Sequence, residues 1–528
     1  MRWQQVYTRA ASGAGRGGIE FLSPSSADRS GATPATSGEE CILELSIDIA
    51  SRPDAPDGPP GRKRLALSLA LACGLLLAPA ARAATPPSAL PPVIIVPGAP
   101  GTELVDRRTG ERVWPNARQM ASRDGNDRLA LPLDTPESGD IVAGKLLRAV
   151  HVLGIDFQIH AYDGLEARLR AMGYREGDWR SPRGAGEFFY FLYDWRQSVE
   201  STGRRFSAEL AGLYARMPPE TPPAVVLGHS LGGLVARYAL MYGDAGLGES
   251  GPLPPVTWAG GPHIGTLFLV ATPNQGTFTA LKCLKEGTFY HLHHGAFSPA
   301  TLFTFPSVFD VLPDHVEPLI DRQGKALPFR LDNADDWERL GWSVIDPRQT
   351  SGISHARLRA HLERELARHA RLHAALAQIA ATPNPAALYV VGSLSQSVQR
   401  TALVTQQNGR IQVRFEPPAG ASRVLTPLLF EPGDSMVPDR SLTAQGSSHD
   451  PASSLCFRSV RHSTRSHQGL LSSPEILAAL DEVLLPPGMP DGVQTAAGGG
   501  APASLCAPAV AALPAAARQG ASGGQQQR

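Results

Sequence analysis

The chain has 528 residues, 42% of them hydrophobic and 19% charged, with 49 basic residues balancing 49 acidic ones. That balance is of an ordinary globular protein and leaves no net charge or basic arm to draw nucleic acid. Five cysteines (Cys41, Cys73, Cys283, Cys456, Cys506) make neither a zinc pattern nor a disulfide-dense scaffold.

Residues 1–60 are rich in Ser, Gly, Ala, Arg and Asp and show no helix or strand period. They read as a disordered extension or a misassigned start. Residues 61–83 then carry the three parts of a secretory signal: basic Arg62-Lys63-Arg64, an apolar run from Leu65 to Leu77, and Ala81-Arg82-Ala83 as a cleavage site. No methionine falls between Met1 and Met120, so a later start would need a non-Met codon such as those of Leu43 or Leu45. The run is too short, and too soon broken by Pro79, for a membrane helix. An exported protein is the expectation. Anchoring through a lipidated Cys73 is the lesser alternative, because Ala70-Leu71-Ala72 fits the required order poorly. Cleavage after Ala83 leaves three cysteines in an oxidising compartment, and Cys283 with Cys456 is the expected pair.

Val93 to Val96 reads as a buried strand that runs into Pro97-Gly98. In an α/β hydrolase, the loop after such a strand supplies one donor of an oxyanion hole. Here that donor is the backbone N–H of Ala99, acting with that of Leu231. The competing reading is a plain turn between a strand and a helix. Residues 105–160 look irregular. Helices are predicted over 161–172, with Gly173 after the end, and over 207–217; a strand is predicted over 188–195.

Ala224 to Leu227 is a strand that enters Gly228-His229-Ser230-Leu231-Gly232, followed by an apolar helix with Leu234, Val235 and Tyr238. Strand, sharp turn and helix are the setting of a nucleophile elbow, with Ser230 as nucleophile and glycines flanking a turn too tight for side chains. A glycine-rich turn without chemistry is the alternative. Ile264 to Ala271 is the next strand. Strands alternating with helices imply a mostly parallel sheet covered on both faces, the α/β class.

The rhythm breaks near residue 278. The stretch to 350 is aromatic and punctuated by proline, and with the helix that follows it forms an insertion over about 278–385, read as a cap or lid; a small satellite core would look the same. The helix over 354–379 places His369 and His373 one turn apart. Without a glutamate beside His369 they are read as exposed histidines rather than metal ligands, as are His291, His293 and His294. No cofactor or metal is expected. Ala387 to Ser393 is a further strand, Thr401 to Phe415 a hairpin turned at Asn408-Gly409, and Leu455 to Val460 a last short strand. Ser473-Pro474 opens the final helix, and residues 486–528 read as a disordered tail.

Ser230, Asp434 and His467 stand in the order Ser, Asp, His. A serine hydroxyl is a weak nucleophile until a base takes its proton; His467 has that role and Asp434 orients the imidazole. Asp439 and Asp450 compete with Asp434, and His462 with His467. Asp434 is preferred because it follows Gly433 after a strand, and His467 because it precedes Leu470-Leu471 and the final helix.

Taken together, these stretches resemble the lecithin:cholesterol acyltransferase-like α/β hydrolases. The likeness rests on Val96 to Gly101, Trp114-Pro115, Tyr193 to Arg196, Gly228 to Gly233, Thr272-Pro273 with Gly276, Phe305-Pro306-Ser307, Leu312-Pro313, Trp337 to Trp342, Gly433-Asp434 with Val437-Pro438, and the His467 stretch, spanning about 90–485. The resemblance implies that Ala99 and Leu231 form the oxyanion pair, that the aromatic insertion is a lid, and that lipid esters are substrates, met by transient contact with a membrane or lipid surface. The acyl group would pass to water or to a second alcohol. The family's acid loop reads Gly-Asp-Gly-Thr-Val-Pro; here it is Gly433-Asp434-Ser435-Met436-Val437-Pro438, which puts the shape of the loop in question. Two rival functions are an esterase or thioesterase of small soluble substrates, and a lipid-binding protein without catalysis.

Overall fold

The computed structural model describes residues 90–116, 127–136, 139–152, 155–158, 161–288, 297–346, 352–485 and 505–506. All belong to the unit Glu40–Arg528. The signal-like segment, Cys73, and His291, His293 and His294 lie outside the described residues.

The central sheet is built from β1 (Val93–Val96), β2 (Arg175–Glu176), β3 (Glu187–Tyr190), β4 (Ala224–His229), β5 (Ile264–Val270), β6 (Ala387–Ser393) and β7 (Phe457–Ser463). They lie in the order β7-β6-β5-β4-β1-β3-β2, and every pairing is parallel. The inner strands β1, β4, β5 and β6 are largely apolar along their length because both faces are covered. Alternate residues serve opposite faces. Ile94, Val96, Phe189, Val226, Leu267 and Leu269 face one core, shared with α2 (Val199–Tyr214), α3 (Leu231–Tyr242) and α5 (His355–Leu376). Val93, Ile95, Phe188, Val225, Leu227 and Phe268 face the other, shared with α1 (Asp163–Ala171) and α6 (Pro474–Leu484). This is the α/β-hydrolase arrangement that the sequence predicts.

Several elements differ from expectation. The strand predicted over 188–195 ends at Tyr190, because Tyr193 and Trp195 turn their polar tips to main-chain carbonyls: Tyr193 donates to Pro97 (2.7 Å) and Trp195 Nε1 to Thr102 (2.9 Å). The helix predicted over 207–217 starts at Val199, where Ser198 Oγ accepts from Ser201 N (3.1 Å) and Asp310 Oδ2 accepts from Val199 N (2.7 Å). These two acceptors satisfy first-turn N–H groups that have no partner within the helix. The stretch 105–160 is not irregular. Thr102–Asp106 pairs antiparallel with Arg112–Trp114 and with Ile141–Leu146, and Ala149–Val152 pairs antiparallel with Ile155–Gln158.

In the insertion, α4 (Phe278–Glu286) is followed by short helices at Pro299–Leu302, Pro306–Asp310 and Ala334–Leu340, and then by α5. His369 and His373, expected at the surface, are buried. The physical reason is the short helices packed against α5, whose carbonyls need donors. His373 Nε2 donates to Asp310 O (2.9 Å), and His361 Nε2, about three turns earlier on α5, to Phe303 O (2.8 Å). Burial lowers the His373 pKa to about 4. Arg368 on the same helix pairs with Asp310 (2.5 Å) and Glu365 (2.7 Å).

The expected Cys283–Cys456 disulfide is not formed. Cys456 is bonded to Cys506, and Leu505 N and Cys506 N both donate to Phe457 O (2.9 and 3.1 Å). Two residues of the segment read as a disordered tail are therefore tied to the start of β7. Periodicity is blind to a cysteine pairing of this kind.

Candidate active site

Ser230 occupies the turn between β4 and α3 with φ 52° and ψ −123°. A non-glycine residue with positive φ is strained. The fold holds it there: Ser230 N donates to Val270 O (2.8 Å), and Gly233 N donates back to Ser230 O (3.0 Å). The flanking glycines are steric requirements. A Cβ on Gly232 would sit 2.2 Å from Val96 O, and one on Gly228 2.5 Å from Gly233 Cα.

Asp434 follows Phe430–Gly433, which pairs antiparallel with Gln396–Gln399 outside the central sheet. His467 follows β7. The two are joined twice. His467 N donates to Asp434 O (2.8 Å), and His467 Nδ1 donates to Asp434 Oδ2 (2.9 Å). The other carboxylate oxygen accepts from Met436 N (3.0 Å) and Val437 N (2.7 Å). Both residues are buried, Asp434 at 1% exposure and His467 at 6%. With Nδ1 donating to a carboxylate, the neutral imidazole leaves a lone pair on Nε2.

The rivals form a pair of their own. His462 Nε2 lies 2.6 Å from Asp439 Oδ1, and both side chains are about a third exposed (33% and 27%). His467 and Ser230 line one cavity of about 150 Å³, whose wall includes neither His462 nor Asp439. Asp450 sits on an exposed turn, its carboxylate accepting from Ala452 N (2.7 Å).

Ala99 and Leu231 line the same cavity. Leu231 is the first residue of α3, so its N–H has no acceptor within the helix. The Ala99 loop is held from outside by aromatic donors. Tyr193 and Trp195 bond to Pro97 and Thr102 as described, Trp114 Nε1 donates to Pro100 O (3.2 Å), and Gly101 N closes the turn on Gly98 O (2.8 Å). The motifs Trp114-Pro115 and Tyr193 to Arg196 thus act on the loop rather than on the cavity's reactive end. Arg196 contributes by a two-pronged pair with Asp194 (2.8 and 2.6 Å).

Two features escape the sequence. His229, beside the serine, donates from Nε2 to His467 O (3.1 Å) and so fixes the main chain of His467. Burial, and then the neighbouring His467, lower its pKa to about 3, so it stays neutral. The residue is visible in the motif, but its partner is 238 positions away. The second feature is Ser435, where the family pattern has glycine. Its φ is 85°, so the acid loop keeps a glycine-type backbone despite the serine.

Among the described residues no group of three or more His, Cys, Asp or Glu side chains is arranged to hold a metal, and no helix is long and apolar enough to cross a membrane. The remaining cavity wall is mostly apolar, with Trp195, Phe297, Leu302, Phe305, Val308 and Val311 beside the hydroxyl-bearing Thr277, Thr279, Thr288 and Ser307.

Residues 149–320 match the family described as lecithin:cholesterol acyltransferase, a segment that includes Ser230 but neither Asp434 nor His467. No curated protein matches the chain. Among solved structures, "The crystal structure of Tle4-Tli4 complex" is similar at 14% identity and a TM-score of 0.45, covering 75% of this chain and 98% of that one. The Bacillus licheniformis lipase BlEst2 in mature form is similar at 8% identity and a TM-score of 0.27, covering 75% of this chain and 93% of that one. Residues 149–320 thus carry the likeness to the lecithin:cholesterol acyltransferase family, within an α/β-hydrolase fold.

Proposed function

We propose that the protein is an exported serine enzyme that takes the acyl group from glycerolipid or sterol esters through an acyl-enzyme on Ser230. The observation that carries this reading is that His467, held by the buried Asp434, lines the same cavity as a strained Ser230. Ser230 Oγ attacks the ester carbonyl while His467 Nε2 takes its proton. The N–H groups of Ala99 and Leu231 hold the resulting oxyanion, with one such donor worth about 3–4 kcal/mol of barrier. The ester C–O bond then breaks, and the alcohol leaves with the proton from His467. Water or a second alcohol gives its proton to His467 and attacks the acyl-enzyme, freeing Ser230. Asp434 stabilises the imidazolium in both halves.

The apolar cavity wall favours a hydrocarbon-bearing ester met at a lipid surface. Export is supported by the signal-like segment at 61–83 and by the Cys456–Cys506 disulfide, which suits an oxidising compartment. The aromatic insertion over about 278–385, which supplies Phe297 and Phe305 to the wall, serves as the cap.

A serine-directed fluorophosphonate probe is expected to label the protein at Ser230. Equal labelling of Ser230→Ala would sink the reading. Product analysis with labelled phospholipid, with and without a sterol acceptor, separates the two outcomes: free fatty acid alone marks a hydrolase, and a sterol ester a transferase.

A further inference from the structure

One wall of the cavity is the face of α4. Thr277, Ala280 and Cys283 line it at helical spacing, and Thr288 continues it just past the helix end at Gly287. The near end is fixed beside the acid loop, where Thr277 Oγ1 donates to Met436 O (2.6 Å). The nine residues of α4 carry the wall roughly 13 Å away from it, at about 1.5 Å per residue. At the far end Thr288 N donates to Phe297 O (3.0 Å), and the Phe297 ring packs against those of Trp195 and Phe305.

Thr288 is 7% exposed, and among the described residues its Oγ1 has no hydrogen-bond partner. A buried hydroxyl without a partner is costly, and native proteins leave few of them. A water would need two to four polar partners, and the neighbouring rings of Phe297 and Phe305 supply none. A ligand that brings its own polar group satisfies the hydroxyl directly. The leaving alcohol takes its proton from His467, so it belongs on the side of the His467 and Met436 loops. The arm along α4 leads away from those loops and takes the acyl chain.

We propose that this arm selects acyl chains that carry a hydroxyl group several carbons from the carbonyl, recognised by Thr288 Oγ1. Thr288 is a specificity-determining residue; it touches the chain and not the reacting atoms. The inference rests on the acyl-enzyme reading above and adds the substrate class to it. A site with an unpaired polar group disfavours a plain chain, which leaves that group unpaired, relative to one that bonds it.

The test uses p-nitrophenyl esters of one chain length, either unsubstituted or with a hydroxyl at successive positions. The full-length protein is expected to show a maximum in kcat/KM at a mid-chain position, roughly five- to tenfold above the plain ester for one neutral hydrogen bond. Thr288→Val should flatten the maximum and Thr288→Ser should keep it, with fluorophosphonate labelling of each variant reporting an intact site. A flat position profile in the unsubstituted protein overturns the proposal, even if Thr288→Val fails to fold. So does a maximum that survives in Thr288→Val. If the plain esters are cleaved equally by Ser230→Ala, it is the acyl-enzyme reading that fails.

Discussion

Replacing Asp434 by asparagine tests the acid, because the structure dictates how the amide must sit. The carboxylate oxygen Oδ1 accepts from Met436 N and Val437 N. An NH₂ group turned toward these two donors would meet them donor to donor. The amide oxygen therefore keeps that place, and the NH₂ faces His467 Nδ1, which now lies 2.9 Å from Asp434 Oδ2. The imidazole must then accept at Nδ1 and carry its proton on Nε2, the nitrogen that has to receive the Ser230 proton. Such a tautomer error, with the geometry otherwise intact, lowers kcat about 10⁴-fold, near 5 kcal/mol of barrier. Asp439→Asn is the control. Its pair with His462 is about a third exposed, so its loss should cost under about 1 kcal/mol of stability and leave turnover within roughly threefold. Initial rates on a p-nitrophenyl ester, with melting curves for each variant, read both effects. If Asp434→Asn keeps more than about a tenth of the activity, or if Asp439→Asn loses as much as Asp434→Asn, the assignment of acid and base is wrong.

Gly232→Ala should abolish soluble expression or cost several kcal/mol, on the order of 3 or more, since its Cβ would meet Val96 O at 2.2 Å. Gly212→Ala, mid-helix in α2 with nothing nearer than Arg216 Nη1 at 3.6 Å, should instead stabilise by about 0.5–1 kcal/mol, as chemical denaturation will show. Acid should also weaken the fold. His373 has its pKa lowered to about 4 in the folded protein against an ordinary value near 6.5, so the unfolded chain binds the proton first. The stability is complete above about pH 6.5 and is lost as pH falls toward about 4, on the order of 3 kcal/mol from this residue. Melting temperatures across that window should fall less steeply in His373→Gln; an equal slope would remove His373 as the cause.

Central strands such as Val93 to Val96 and Ala224 to Leu227 were legible because each is a short apolar run closed by Gly or Pro, whereas the charged, exposed Arg175–Glu176 gave no such signal. The Ser230 elbow was legible because its steric demands fall on adjacent glycines. Asp434 and His467 could be placed in order but not in space, and their competitors looked alike; only the fold separates the buried pair from the exposed one. Residues that act through partners far along the chain were not readable. His229 reaches His467 O, and Ser198 shares the start of α2 with Asp310. His373 shows the same limit from the other side. A histidine stripe on a helix looks solvated until carbonyls of another element arrive to accept from it.

The backbone of Ser230 also bears on how this protein can change. With φ at 52°, the position holds a conformation that glycine adopts freely and serine does not. Folding stability and nucleophilicity therefore pull residue 230 in opposite directions. A mutation to glycine would relax the turn while removing the hydroxyl, so an inactive descendant could be the sturdier molecule. Stability alone does not favour a serine at this position.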